Sequence, residues 1–277
     1  MIATASRAFD ATWLLGFLAA RAVPGIEEVD GATYRRSLAL AHGPAVIAVA
    51  VEDEPRWWLE SGDPRDQAEA GRRVRKLLDL DADFEAIDRV LAAEPAFRAA
   101  SGRRVPGCVD PAEMAVRAVL GQQVSVAAAR THAARLVEAY GTRLVVAQGE
   151  PPARRGPAAR VERLFPASDA LAELDPARLG MPRARGRALV GLAAALAGGL
   201  DPRDRDALLA LPGIGPWTAD YVAMRCGDPD ILLETDLGVR RGAAALGLPT
   251  DGAGLRRHAE RWRPWRSYAV QHLWAAA

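Results

Sequence analysis

The stretch LLALPGIGPWTADYVAMR, Leu208–Arg225, places two glycines two positions apart, Gly213 and Gly215, between an apolar run and a run with helical periodicity. A first helix, RDALLAL, is predicted to end at Leu211 or Pro212. A second starts near Pro216, a residue suited to the first helical position because it has no N–H to leave unpaired. The glycines permit positive φ and let the backbone approach an external group closely. The free amides that open the second helix, with its dipole behind them, form an anion site. This is the form of a helix-hairpin-helix turn, spanning about 206–226. On a DNA-binding protein the anion would be a backbone phosphate, a contact that fixes position without reading sequence. From the turn alone, an ordinary helix–turn–helix corner is the competing reading.

Composition sets the outer bounds. A chain of 277 residues can form one large domain or two to three small ones. At 50% apolar and 26% charged residues it has the make-up of a soluble globular protein. The formal charge of +1 does not by itself mark a nucleic-acid binder. Lys76 is the only lysine, so nearly all positive charge is arginine. The two cysteines, Cys108 and Cys226, are far apart in sequence and are expected to be free thiols in a reducing compartment, with a lone disulfide as the alternative. No cysteine pattern suits an iron–sulfur cluster, and His42, His132, His258 and His272 are scattered without metal-ligand spacing. The run WLLGFLAARAV is too short to span a membrane and follows Arg7 and Asp10. The expectation is a cytoplasmic monomer that needs no cofactor.

The chain divides into two kinds of pattern. Asp10 is placed to cap a helix through ATWLLGFLAARAV, which Pro24 and Gly25 end. Strand-like segments YRRSLALAH, AVIAVAVE and RWWLES follow, separated by Gly-Pro, Asp-Glu-Pro and Gly-Asp-Pro turns, and QAEAGRRVRKLLDL closes the unit as a helix. From about Asp83 only helical patterns recur, with caps at Asp110, Ser125 and Asp236. Ala147–Arg163, rich in Pro, Gly and Arg, reads as a mobile loop. The fold class is α+β: residues 1–82 form an N-terminal domain with an antiparallel sheet and helices, and residues 83–277 form a helical core.

About twenty residues beyond the turn comes ILLETDLGVRR, with Asp236 at a helix start. Taken alone, Asp236 is an N-cap. A Gly/Pro-rich hairpin, a helix, a short apolar loop and then an aspartate at a helix start is, however, the arrangement of the helix-hairpin-helix DNA glycosylases. Within that superfamily the chain resembles the bacterial 3-methyladenine DNA glycosylase II, or AlkA, type. The likeness covers nearly the full length: WLLGFLAARAV, the segment from Val105 through VPGCVDPAEMAVRAVLGQQVSVAAA, LGMPRARGRAL, the hairpin and AERWRPWRSYAVQHLW occur in the family's order.

The resemblance implies a TATA-binding-protein-like sheet domain followed by two helical lobes with a cleft between them. It implies a partner, double-stranded DNA with damaged bases, and an activity, hydrolysis of the bond between a flipped-out alkylated base and its sugar. The catalytic aspartate maps to Asp236. A base pocket maps to Phe17, Trp217, Tyr221 and Trp274, with Leu237 beside Asp236; Trp262 and Trp265 are structural. DNA contacts map to Gln122, Gln123, Gly213, Gly215 and Thr218, and a monovalent cation to the carbonyls of Leu209, Leu211 and Ile214. Related enzymes that also cut the strand carry a lysine where this chain has Trp217, so a monofunctional glycosylase without lyase chemistry is implied. Two departures bear on substrate range. Gln123 stands where the AlkA type carries an apolar wedge, usually leucine, and Leu237–Gly238 is smaller than the expected pair, which implies a wider pocket. The alternatives are a same-fold glycosylase for deaminated or oxidised bases, or a DNA module that binds lesions without cutting.

Overall fold

The structure is a computed structural model that describes residues 9–98, 102–144 and 161–277. Helix α1 (Ala11–Arg21) opens it, held at its start by the Asp10 side chain, which accepts from the Trp13 amide at 2.9 Å. Four strands follow: β1 (Glu27–Asp30), β2 (Thr33–Leu40), β3 (Gly43–Ala50) and β4 (Arg56–Ser61). They pair in sequence order, antiparallel throughout. Helix α2 (Gln67–Leu77) closes the unit. Tyr34 and Leu38 on β2 and Ile47 and Val49 on β3 share a core with Leu14 and Leu18 of α1 and with Ala70, Val74 and Leu77 of α2. Alternate residues of a strand face one side, and here that side is covered by helices.

The remaining described elements are helical apart from an isolated bridge between Arg143 and Arg163. They are α3 (Phe84–Leu91), α4 (Pro111–Leu120), α5 (Val126–Tyr140), α6 (Ser168–Ala172), α7 (Arg183–Ala197), α8 (Arg205–Leu209), α9 (Pro216–Arg225), α10 (Leu237–Ala245), α11 (Gly252–Ala259) and α12 (Arg266–Ala275). The caps read from the sequence are in place: Asp110 accepts from the Ala112 amide at 2.8 Å, Ser125 from Ala128 at 3.2 Å and Asp236 from Val239 at 2.9 Å. One apolar core joins α4, α5, α7 and α9 with Val23 and Ile26. Another joins α3, α10, α11 and α12 around the fully buried Trp262. Helix α9 serves both, giving Ala219 and Val222 to the first and Met224 to the second. Trp265 lies edge-on to Tyr268 at 5.8 Å, in keeping with a packing role.

Two elements depart from the sequence reading. Strand β1, EEVD, lacks an apolar alternation, and α6 is only five residues long. β1 is an edge strand of the sheet, and the side chain of its Glu27 is buried. Its carboxylate accepts from Tyr34 Oη at 2.6 Å and from Arg117 at 2.9 Å, and Arg36 reaches Glu113 at 2.7 Å. Burial would push Glu27 up, but the Arg117 and Arg36 guanidiniums outweigh it and hold the carboxyl below its ordinary range. This buried network ties the sheet to α4. The Pro/Gly/Arg-rich segment lies outside the described residues for 147–160.

His272, on α12, stacks on Phe97 at 4.6 Å between ring centroids, and burial pulls its imidazole down to about 3. Its folded pKa lies below the ordinary value, so the neutral ring contributes stability above about pH 6.5 that is lost as pH falls toward 3. Asp79 works the other way: burial raises its carboxyl to about 6, so its contribution grows as pH falls through that value. The His272 part is isolated by comparison with His272→Leu. We expect the wild type's advantage over that variant to shrink by about 2 kcal/mol between pH 7.5 and pH 5, read from denaturant midpoints. A pH-independent difference would show that the ring titrates normally.

Candidate active site

The hairpin places its residues unequally. Gly213 has φ of +85°, and a Cβ there would lie 2.6 Å from that of Ala188, so glycine is required on both counts. Gly215 does not share this conformation. It has φ of −98° as the N-cap of α9, with open space around the position of a Cβ. The expectation of positive φ at both glycines is therefore corrected: one glycine turns the chain, and the other leaves the helix N-terminus uncovered. Thr218 is buried, and its hydroxyl and the Gly213 carbonyl both accept from Gln122 Nε2, at 3.1 and 3.0 Å. Gln122 and Thr218 thus fasten the α4–α5 turn to the hairpin. Gln123, next along, is exposed at the tip of that turn with φ of +54°. Arg185 holds the turn from behind by donating to the Gln122 carbonyl at 2.7 Å. The Leu211 carbonyl accepts the Ile214 amide at 3.1 Å, which leaves one of its lone pairs.

Asp236 sits at the N-terminus of α10, half-buried, where three N–H groups converge on its carboxylate. Oδ1 accepts from the Val239 amide and from Trp274 Nε1, each at 2.9 Å, and Oδ2 accepts from Trp217 Nε1 at 3.0 Å. One indole comes from the hairpin helix and the other from the last helix, so the carboxylate links α9, α10 and α12. This explains a bulky tryptophan directly after a tight turn: its indole spans from the hairpin to Asp236.

The aromatic residues expected as a pocket do assemble. Trp217 and Tyr221, one helical turn apart on α9, stack at 5.3 Å with planes 10° apart. Trp274 lies 6.2 Å from Tyr221 and 6.2 Å from Phe17. Leu237 differs from them: it is 67% exposed and belongs to none of the apolar cores. Nor does the small residue at 238 widen the site. A Cβ on Gly238 would lie 3.0 Å from the Trp274 ring, so the indole itself occupies that room as it reaches Asp236.

Two arginines that the sequence reading missed complete the cluster. Arg21 lies 3.6 Å from the centroid of the Phe17 ring, and Arg225 donates to Tyr221 Oη at 2.7 Å. Burial would raise the Tyr221 phenol, but Arg225, Arg21 and Arg117 outweigh it and hold the phenol below its ordinary value. The available signal was helical spacing, since Phe17–Arg21 and Tyr221–Arg225 are both one turn apart. These arginines also line a polar pocket with Glu27, Arg36, Glu113 and Arg117, which includes neither Asp236 nor the indoles. Asp236, Trp217, Tyr221 and Trp274 are each half-buried, whereas Phe17 is buried behind them.

Comparison with known proteins places this arrangement. Residues 5–110 match the AlkA N-terminal domain. Over 283 residues the chain is 39% identical to DNA-3-methyladenine glycosylase 2 of Escherichia coli, covering 96% of this chain and 93% of that protein. The chain belongs to the AlkA family. It is also 48% identical, over 275 residues, to a probable bifunctional transcriptional activator/DNA repair enzyme AlkA of Mycobacterium tuberculosis. That match covers 94% of this chain and 53% of the relative, so the chain spans about half the length of the mycobacterial AlkA. Among solved structures, a 3-methyladenine DNA-glycosylase from Archaeoglobus fulgidus shares the fold, with a TM-score of 0.78 at 20% identity, covering 97% of this chain and 95% of that one. AlkA family membership accounts for the α+β architecture and for the order of hairpin, aromatic cluster and aspartate.

Proposed function

We propose that this chain is a monofunctional DNA glycosylase that removes alkylated bases from double-stranded DNA. The observation that carries the reading is the Asp236 carboxylate, fixed by two indole N–H groups and a helix N-terminus beside a cluster of aromatic rings. A nucleotide flipped out of the duplex presents its base to Phe17, Trp217, Tyr221 and Trp274, whose π-faces attract a cation. An N3- or N7-alkylated purine is such a cation and leaves as a neutral base, so no general acid is required. As the glycosidic bond breaks, positive charge grows on C1′ and the Asp236 carboxylate stabilises it. Water adds to C1′, and its proton passes to the carboxylate or to solvent. The names of the AlkA relatives, DNA-3-methyladenine glycosylase 2 and DNA repair enzyme, support the same substrate class.

In this reading residues 1–82 and 83–277 act as a sheet domain and a glycosylase core in a cytoplasmic monomer. Gly213, Gly215 and the amides that follow Pro216 hold a phosphate, a cation at the Leu209, Leu211 and Ile214 carbonyls adds positive charge beside it, and Gln123 enters the gap left in the base stack. The deciding experiment is release of free base from methylated duplex DNA, followed by chromatography over a panel of alkylated, deaminated and oxidised lesions. Release of alkylated purines supports the proposal. Release confined to oxidised or deaminated bases, or none at all, overturns it.

Two further outcomes are expected. Borohydride should trap no covalent adduct with lesion DNA, because Trp217 fills the place of a hairpin lysine and the sole lysine, Lys76, lies on α2. A trapped adduct would reveal an amine nucleophile. Gly215→Val should fold normally, since φ of −98° suits valine and its side chain meets open space. It should nonetheless weaken binding to abasic-analogue DNA by roughly tenfold in every sequence context, because a phosphate contact carries no sequence information. Unchanged affinity in a filter-binding titration would reduce the turn to a corner.

A further inference from the structure

Cys108 and Cys226 are separated by more than a hundred residues in the sequence, yet their Sγ atoms are 3.8 Å apart, and both are free thiols. They face each other across the joint between the sheet unit and the hairpin. On one side, the segment 106–108 is pinned to the end of α2: the Gly107 amide donates to the Leu77 carbonyl at 3.0 Å, and a Cβ at Gly107 would collide with the Lys76 carbonyl. On the other side, Cys226 is the C-cap of α9, the helix that carries Trp217 and Tyr221. Arg225 already bridges the two sides through the carbonyls of Pro106 and Gly107.

We propose that Cys108 and Cys226 form a redox modification site that reacts with hydroperoxides, closing into a disulfide that latches the sheet unit to the hairpin helix. The thiols are in contact, so a bond of about 2.05 Å requires them to approach by less than about 2 Å. Their environments divide the work. Cys226 is half-exposed, while Cys108 is buried. Contact with the Cys108 thiol, together with the Arg225 and Arg203 guanidiniums, holds the Cys226 thiol below its ordinary value, whereas contact with Cys226 and burial push Cys108 up. Cys226 is therefore the attacking thiolate. Its sulfur displaces an alcohol, or water from hydrogen peroxide, as the O–O bond breaks, and becomes a sulfenic acid. The Cys108 sulfur then attacks that sulfur, the S–O bond breaks, and water leaves with the Cys108 proton. In sum, two thiols and one hydroperoxide give a disulfide, an alcohol and water. Disulfides of reducing compartments are mostly of this transient, peroxide-responsive kind. Because Arg225 holds the same two segments in register already, the latch closes without displacing Tyr221.

The test treats the intact 277-residue protein with a stoichiometric excess of hydrogen peroxide, then quenches and analyses it by intact mass, non-reducing peptide mapping and thermal melting. The expected results are loss of both titratable thiols, a mass lower by two hydrogens, a Cys108–Cys226 cross-linked peptide, and a Tm raised by about 5 °C, all reversed by dithiothreitol. Cys108→Ser should stop at a dimedone-reactive sulfenic acid on Cys226, and Cys226→Ser should leave Cys108 unreactive. Base release, a readout that rests on the function proposed above, should change by less than about threefold on oxidation. Absence of base release from the reduced protein would overturn that function while mass and melting still judge the latch. Two surviving thiols, a cross-link between chains, sulfinic acid in the wild type, or a lowered Tm would overturn the latch.

Discussion

Asp236→Asn should lower the single-turnover rate of base release by at least about a hundredfold while binding to lesion DNA stays within about threefold. A charge stabiliser aimed at a developing oxocarbenium acts as the bond breaks and little before, so its loss falls on the transition state. Loss of one such electrostatic contact is worth roughly 3–4 kcal/mol, or a factor of 10²–10³ in rate. The local hydrogen bonds sharpen the expectation. Asparagine can keep its carbonyl on the Val239 amide and Trp274 Nε1, but its NH₂ then faces Trp217 Nε1–H, donor against donor. Trp217→Phe separates the two effects, since it removes that donor and leaves the carboxylate charged. It should cost roughly tenfold, well short of the Asp236→Asn loss. Retention of more than about a tenth of the wild-type rate by Asp236→Asn would remove Asp236 from its assigned role.

What could be read without coordinates was local. Asp10, Asp110, Ser125 and Asp236 cap helices because a short acceptor next to a periodic run acts on amides two or three residues away, and the sequence displays both partners. RWWLES coincides with β4 for the same reason, being a short aromatic-rich run between two turns. Features decided by distant partners stayed hidden. β1 pairs with β2 although its sequence carries no strand pattern, and its Glu27 meets Arg117 ninety positions away. The two cysteines touch because α9 ends where the segment before α4 passes. Gly215 has the same neighbours as Gly213, yet only Gly213 is forced to positive φ, by the turn it makes against Ala188. The four aromatic residues that cluster near Asp236 were singled out through resemblance to a family. The exposure of Leu237 was not legible because position along a helix does not say which side of it is solvent, and the room beside Gly238 was not because small size does not say what fills the space.

Among the described glycines, Gly242→Ala should be the most damaging alanine substitution, although it adds a strong helix former to a helix. Gly242 lies on α10 where α12 crosses it, and a Cβ there would sit 1.8 Å from the Leu273 carbonyl oxygen and 2.5 Å from its carbon. Those are backbone atoms in a helix, so no rotamer change relieves the clash; the helices must separate by more than about 1 Å. Overpacking of this kind costs about 3 kcal/mol or more, which for a chain of this size lowers Tm by roughly 6–10 °C. The effect should reach the site as well. α10 presents Asp236 at its first turn and α12 carries Trp274, joined by the 2.9 Å bond from Nε1 to Oδ1, so separating the helices detaches the indole from the carboxylate. Protein that still folds should therefore release base at least tenfold more slowly. Gly191→Ala supplies the contrast: Gly191 is also within a helix, α7, but a Cβ there meets nothing within 4 Å, and alanine should be neutral or stabilise by about 0.5–1 kcal/mol. Helix propensity favours both substitutions equally, so a Gly242→Ala protein that melts within about 2 °C of wild type would mean that the close crossing of α10 and α12, and with it the placement of Trp274 on Asp236, is wrong.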